Sequence, residues 1–266
     1  MVTLPSVKRK SKPSPDSMTL GEHLGELRRR VIICAIVYTA AALVAVFLYE
    51  PILHFLLRPL CNVDASTGHH TAAGNSFITS SNGTCNLFVT SPLDGLSLRV
   101  KIALFGGLVL ASPVILFQVW RFVTPGLKAS ERRYAIPFVL SSFVLFLAGA
   151  ATAYITLPHA LGWLRSVGGP NLQAIYDPIP YLGLILLMMT IFGLTFEFPV
   201  VLVSLELAHV VTPARLLRSW RWAVIIIVVL SAVFTPSSDP FSMLALAVPL
   251  VFFYFISIGI GKLLGR

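Results

Sequence analysis

Residues 182–209 read LGLILLMMTIFGLTFEFPVVLVSLELAH, and this stretch decides the fold class. Glu197 and Glu206 are its only acidic residues, and it contains no Lys or Arg. As an α-helix it would be about 40 Å long, because each residue adds about 1.5 Å, and about 20 apolar residues span a bilayer core. The stretch therefore predicts a transmembrane helix.

Five further apolar runs predict an all-α integral membrane protein with six transmembrane helices. The predicted spans cover about residues 31–49, 102–120, 134–157, 182–209, 222–234 and 241–260. As a helix, the fifth run would be only about 20 Å long, so we interpret it as a short span that thins the bilayer or is completed by flanking residues. Of all residues 56% are hydrophobic and 12% are charged, which excludes a soluble globular enzyme and a disordered protein.

The basic residues are distributed unevenly between the two predicted sides of the membrane. Of the 20 Lys and Arg residues, 16 lie in segments 1–30, 121–133, 210–221 and 261–266. The positive-inside rule places these segments, and with them both termini, in the cytoplasm. The net charge of +9 therefore indicates topology and contact with anionic lipid in the cytoplasmic membrane, and not nucleic-acid binding.

Two regions are predicted along the chain. Residues 1–17 are basic and contain three prolines, which is typical of a disordered tail near anionic lipid. Residues 18–264 form the six-helix membrane domain. The first apolar run, 31–49, is longer than the hydrophobic region of a signal peptide, so we do not expect it to be cleaved.

Prolines lie within several of the predicted spans, at Pro113, Pro137, Pro199 and Pro249. Two interpretations stay open for each of them. Proline can bend a helix and so shape a concave surface, or it can be the ordinary proline content of membrane helices.

The longest predicted loop, residues 50–101, lies outside the membrane and contains Cys61 and Cys85. Two cysteines in an oxidising compartment indicate a disulfide, and we hypothesise a Cys61–Cys85 bond. His69 and His70 lie in the same loop, but the spacing of the four residues matches no zinc motif, so we expect neither a metal nor another cofactor.

Acidic residues are scarce on the predicted cytoplasmic side. They are Asp16, Glu22, Glu26 and Glu131. A carboxylate beside a membrane can hold a guanidinium group through charge-assisted hydrogen bonds, which makes Glu26 and Glu131 candidates for binding a cationic ligand. The alternative for Glu26 is a local ion pair with Arg29 or Arg30 on the next turn of the helix.

Two acidic residues inside or beside the later spans are further candidates. A charge in mid-membrane costs about 2.5–3.5 kcal/mol, so Glu197 is expected to face water, to meet a polar partner or to carry a proton. Glu206 lies nearer the end of its span and is expected to snorkel to the surface. Asp239, in a tight turn before the last span, is either a helix cap or a functional group.

Four segments in register resemble the TatC family, the core subunits of the twin-arginine protein translocase. They are His23–Arg28, Ser112–Trp120 with the residues up to Arg133, Phe196–Pro199 and Phe234–Asp239. The resemblance covers about residues 19–264 in the same order, and six spans with both ends inside agree with it. The chain departs from the family pattern in a turn that is one residue longer before Asp239 and in Met243, where a polar Gln is expected.

The resemblance implies a concave bundle that binds twin-arginine signal peptides and exports folded cargo proteins with the proton motive force. Its expected partners are TatA, TatB where present, other TatC copies and anionic lipids. It implies that Glu26 and Glu131 form the signal-peptide site, with contributions from Arg28 and Phe122. Glu197 is implied as a contact for the single-span partners, and we group Asp239 with it as a partner contact or intramembrane polar site.

Two other classes of function were weighed against this interpretation. A secondary transporter with Glu197 as a proton-coupled site would require two similar halves with paired broken helices, and no such repeat is visible. A membrane-embedded enzyme would require a nucleophile and a base in register, and His and Asp residues are scattered over both sides. The chain also has no phosphate-binding loop motif. We therefore expect a binding and assembly protein without covalent chemistry.

Overall fold

A computed structural model describes residues 20–66, 78–81, 84–87, 91–123, 135–168, 178–207, 210–236 and 239–263. These ranges form nine α-helices and one two-stranded antiparallel hairpin. The helices are α1 Leu20–Phe47, α2 Tyr49–Ser66, α3 Asp94–Val123, α4 Ala135–Gly168, α5 Pro178–Thr195, α6 Phe198–Leu207, α7 Pro213–Arg218, α8 Trp220–Phe234 and α9 Pro240–Leu263. The hairpin joins β1 Ile78–Ser81 to β2 Thr84–Leu87, with Ile78 opposite Leu87.

The predicted count of six spans is confirmed. Five segments are long and apolar enough to cross a bilayer, namely Leu24–Phe47, Asp94–Phe122, Ile136–Leu164, Ile179–Leu207 and Pro240–Leu263. The sixth is α8, an apolar helix of 15 residues, which is about 22 Å long. It is the short span expected at 222–234. The all-helical membrane fold is therefore confirmed, with the small hairpin as an addition outside the spans.

The loop predicted at 50–101 contains more helix than expected, because α2 occupies its beginning and α3 begins before its end. In α2 the buried side chains Leu56 and Leu57 pack into the protein core, so one face of this helix is held by burial. The start of α3 is fixed by a cap in which the Ser91 N–H donates to Asp94 Oδ2 at 2.8 Å. Amphipathic helices such as α2 lack the long apolar run on which the span prediction depended.

Several predictions fall on parts of the chain that the structure leaves undescribed. The tail 1–17 lies outside the described residues, as do His69 and His70. The backbones of Cys61 and Cys85 belong to α2 and β2, but their side chains are not among those described. The disulfide therefore stays a prediction.

The fourth span is interrupted in mid-membrane, because α5 ends at Thr195 and α6 begins at Phe198. Pro199 has no N–H to donate, and its ring would clash with the Thr195 carbonyl of a continuous helix. The Glu197 N–H donates to the Leu194 carbonyl at 3.2 Å, and regular bonding resumes beyond it. Pro113 and Pro249, by contrast, lie inside the continuous helices α3 and α9.

Glycine allows two helix pairs to pack closely. A Cβ added to Gly107 of α3 would lie 2.7 Å from the Ala42 Cα of α1. A Cβ added to Gly149 of α4 would lie 2.5 Å from the Phe192 carbonyl oxygen of α5. Small residues at such positions let membrane helices approach backbone to backbone. The pairs α1–α3 and α4–α5 are therefore fixed in register by steric fit.

The last helix, α9, is packed against α4, α6, α7 and α8. Its buried side chains Leu246, Leu250, Tyr254 and Ile258 recur every four residues and form one face within the core. The Tyr254 hydroxyl donates to the Leu216 carbonyl of α7 at 2.8 Å. This face joins the final third of the chain to the rest of the bundle.

Candidate functional site

A carboxylate, a guanidinium and an amide meet between α1 and α3. Glu26 Oε1 contacts Arg30 Nη2 one helical turn later, and Arg30 Nη1 donates to Gln118 Oε1 of α3 at 3.4 Å. Only 12% of the Arg30 side chain and 25% of the Glu26 side chain are exposed. The predicted alternative of a local ion pair at Glu26 is therefore present, with Arg30 rather than Arg29.

The helix packing described above determines where these groups meet. The contact between Gly107 and Ala42 fixes α1 and α3 as antiparallel neighbours, and about three further turns bring Arg30 beside Gln118. The end of α3 is held from the other side by Trp120, whose ring stacks on Phe138 of α4 with centroids 4.3 Å apart. The amide is thus presented by a fixed helix end.

A cavity of about 150 Å³ opens beside this cluster. It is lined by Glu26, Arg29, Arg30, Ile33, Gln118 and Arg121. Glu26 Oε2 and Arg30 Nε are buried beside it and have no hydrogen-bond partner among the described residues. The cavity therefore offers a carboxylate acceptor to a small planar cation, or an acceptor and a donor to water. We call this cavity the Glu26 cavity.

The other predicted signal-peptide residues lie in different places. Arg28 is exposed and follows Glu26 by about 200° around the helix, so it points away from the Glu26 cavity. It lines a separate cavity of about 280 Å³ with Gly25, Arg29, Ile32 and Ile33. Phe122 is half-buried and follows Arg121 at the end of α3. Glu131 lies outside the described residues.

Glu197 lies in the turn between α5 and α6, where the helix is broken. The buried Ser142 of α4 is within hydrogen-bonding range of its side chain. Glu197 Oε1 is buried and has no hydrogen-bond partner among the described residues. The structure thus gives this carboxyl one polar neighbour and leaves one of its buried oxygens without a partner among the described residues.

Asp239 caps the last helix, as one of its two interpretations predicted. The Ser242 N–H donates to Asp239 Oδ1 at 2.7 Å, which satisfies one of the free donors at the start of α9. Asp239 is only 2% exposed, and its second oxygen has no hydrogen-bond partner within the described part of the chain. The hydroxyls of Ser231 and Ser242 are also buried and have no hydrogen-bond partner among the described residues. Capping thus uses Asp239 Oδ1 and leaves Asp239 Oδ2 without a hydrogen-bond partner among the described residues.

Glu206 was underestimated by the sequence reasoning, and the expectation that it snorkels to the surface is wrong. It is 1% exposed, and both carboxyl oxygens lack a hydrogen-bond partner among the described residues. Its carboxyl lies against the backbone of α9, where a Cβ added to Gly261 would be 2.2 Å from Oε2. The absence of a side chain at Gly261 makes the space for it. A glycine near the end of the facing span was the only sequence signal for this contact.

Gln118 was not predicted as part of the candidate site. It is the single amide in the predicted span 102–120, and that rarity was the available signal. Across the residues that the structure describes, no group of three or more His, Cys, Asp or Glu side chains could hold a metal ion.

Comparison with known proteins gives consistent matches over nearly the whole chain. Residues 22–249 match the family model described as Sec-independent protein translocase protein (TatC). The protein of that name from Frankia casuarinae is 42% identical over 263 residues, covering 97% of this chain and 70% of the relative. Its namesake from Aquifex aeolicus is 36% identical over 252 residues, covering 94% and 97%. A crystal structure of the twin arginine translocase receptor TatC in DDM matches with a TM-score of 0.71 at 34% identity, covering 90% of this chain and 99% of that one.

Proposed function

This chain belongs to the TatC family and is a multi-pass membrane subunit of the Sec-independent, twin-arginine protein translocase, and from that premise we propose that it receives signal peptides at Glu26. The observation that carries the proposal is that the Glu26 carboxylate already holds a guanidinium, that of Arg30, beside a cavity with a free carboxylate oxygen. A site that binds one arginine side chain in this way has the chemistry to bind another.

In this proposal both termini lie in the cytoplasm, which puts Glu26 on the side where signal peptides arrive. The concentration of Lys and Arg in the segments flanking the spans supports that orientation. It also supports contact of the same face with anionic lipid. Folded cargo proteins would be exported to the opposite side with the proton motive force as the energy source.

The two arginines of the signal peptide are assigned different acceptors. One guanidinium would enter the Glu26 cavity and contact Glu26 Oε2 and the Gln118 amide oxygen. The second would bind Glu131 in the segment that follows α3. Phe122 would support this second position, because it lies between Gln118 and Glu131 in the chain. Arg28 would act from the adjacent face of α1.

The polar groups on the later helices are proposed as contacts for single-span partners. Glu197 has one buried oxygen without a hydrogen-bond partner among the described residues, and so has Asp239 in the turn before α9. TatA, TatB where present, and further copies of this subunit are the proposed partners. A proton-coupled secondary transporter is not favoured, because relatives of this chain over nearly its full length are translocase subunits.

The proposal is tested by photo-crosslinking a signal peptide with consecutive arginines to the full-length protein in membranes. Glu26→Gln and Glu131→Gln should each reduce crosslinking strongly, because both remove a charged acceptor. Glu50→Gln is the matched control, since Glu50 is an exposed acid at the start of α2. Unchanged crosslinking in both variants, with normal protein levels, would refute the assigned site.

A second experiment tests the function as a whole. The gene is introduced into cells that lack their own subunit, and export of a folded twin-arginine reporter is measured. We expect export with the wild-type chain and none with the double variant Glu26→Gln/Glu131→Gln. Export by the double variant at the wild-type level would contradict the proposal.

A further inference from the structure

The Glu26 cavity already contains a guanidinium, and it belongs to the protein itself. Arg30 contacts Glu26 Oε1 and donates to Gln118 Oε1. The proposed site assigns to a signal-peptide arginine the other oxygen of the same carboxylate and the same Gln118 amide oxygen. A peptide arginine and Arg30 therefore compete for the same carboxylate.

Arg30 is held in this position more firmly than an ordinary surface residue. Its side chain is 12% exposed, and it bonds to groups on two different helices, α1 and α3. Arg29 is the natural comparison, because it lines the same cavity and carries the same charge. Arg29 is exposed and makes no hydrogen bond or ion pair to another described residue. Occupation of the carboxylate is thus a property of Arg30 and not of positive charge nearby.

We propose that Arg30 is an internal competitor that occupies the Glu26 carboxylate until a signal peptide displaces it, and that this competition sets the affinity threshold of the receptor. The inference rests on the proposed signal-peptide site. Only the fraction of molecules in which Glu26 is released from Arg30 is competent to bind, and the apparent affinity of every peptide falls by that fraction.

Competition of this kind favours ligands with two arginines. When one peptide guanidinium replaces Arg30 at Glu26, the Arg30–Glu26 contact is broken and a similar contact to the peptide is formed. The exchange therefore contributes little net binding free energy. A second guanidinium that binds elsewhere is then needed for net binding. The Kd of peptides with a single arginine then lies above the working peptide concentration. The Kd of peptides with two arginines stays below it. An internal competitor thereby raises the Kd of every peptide by the same factor, so that only peptides with sufficient further contacts bind at a given concentration.

The test is to measure binding of a labelled twin-arginine peptide to the full-length protein in nanodiscs. Arg30→Gln removes the competing charge and keeps a side chain of similar shape. We expect the Kd to fall by about two-fold, if the pair is as weak as an exposed helix pair, and by up to about ten-fold if partial burial strengthens it. A peptide with one arginine should gain by the same factor, because both ligands displace the same group.

Arg29→Gln is the matched control, because it removes the same charge from the same cavity without freeing Glu26. It should improve binding by clearly less than Arg30→Gln. Arg30→Lys should give an intermediate Kd, because an ammonium competes for the carboxylate without the planar fork of a guanidinium. This variant also provides the test if Arg30→Gln does not yield folded protein.

Two results would overturn the inference. If Arg30→Gln weakens peptide binding, Arg30 positions Glu26 for the peptide and does not compete with it. If Arg30→Gln and Arg29→Gln have equal effects, only the general charge of the cavity matters. Failure of the proposed site itself is distinguishable, because Glu26→Gln would then leave the Kd unchanged. If both the site and the inference are correct, Glu26→Gln weakens binding and Arg30→Gln no longer improves it in that background.

Discussion

Replacing Gly261 by alanine should separate α9 from α6 at the buried Glu206. The added Cβ would lie 2.2 Å from Glu206 Oε2, 2.7 Å from its Cδ and 2.9 Å from Pro213 Cγ. None of these separations is compatible with van der Waals contact, so the carboxyl group must leave its position. Because it is 1% exposed, the Glu206 side chain must change rotamer within the protein, or α6, α7 or α9 must move. Overpacking of this kind costs about 1–3 kcal/mol.

Thermal unfolding of the purified protein measures this effect, and the chain offers a matched control. Gly259 lies on the same helix, and a Cβ there would meet nothing within 4 Å. Gly259→Ala should be neutral or should stabilise by up to about 1 kcal/mol, as for alanine in an open helix position. Gly261→Ala should lower Tm by about 2–12 °C, taking about 2–4 °C per kcal/mol for a chain of this size.

A double variant identifies the cause. Glu206→Ala removes the carboxyl that the new methyl group meets, so Gly261→Ala should cost much less in that background than in the wild type. Coupling between contacting residues is typically 0.5–3 kcal/mol, or roughly 1–12 °C in Tm on the same conversion. If Gly261→Ala has the same Tm as Gly259→Ala, or if Glu206→Ala gives no rescue, the steric reasoning is refuted.

Three further predictions concern the polar groups of the later helices and the outer loop. Asp239→Ala should destabilise the protein by about 1 kcal/mol, because the Ser242 N–H loses its cap, while Asp239→Asn should lose less; thermal unfolding measures both. Glu197→Ala should leave signal-peptide crosslinking intact but reduce export of a folded reporter, and full export would argue against a role inside the membrane. If Cys61 and Cys85 form a disulfide, the non-reduced protein should migrate faster in gel electrophoresis than the reduced protein. Identical mobility with and without reductant, with both thiols free, would contradict the bond.

The spans were predictable from the sequence because their cause is local composition. A run such as 182–209 has to be buried in lipid or protein, whatever its neighbours are. The break within that run was not predictable, because Pro113 and Pro249 occur in similar runs and are accommodated in continuous helices. Whether a proline bends or interrupts a helix depends on what surrounds the released carbonyl. The surroundings of that carbonyl are set by the tertiary structure and cannot be read from the apolar run itself.

The candidate site was predictable only in its local part. The spacing of Glu26 and Arg30 placed them on one helix face, and they do pair. The contribution of Gln118 depends on the register of α1 against α3, which glycine packing determines. The burial of Glu206 likewise depends on the facing Gly261. Both are contacts between residues more than 50 positions apart, for which one sequence carries no periodic signal.

The interruption of the fourth span has a mechanical consequence. Its first half, α5, is joined to α4 through the Gly149 contact, whereas its second half, α6, packs against α9. One membrane crossing therefore packs against different neighbours in its two halves, and residues 196 and 197 connect the halves. Any rotation of α6 relative to α5 would be taken up by these two residues. Such a rotation would change the distance between Glu197 and Ser142. A movement of α9 that displaces α6 would therefore alter the hydrogen bond between these two side chains.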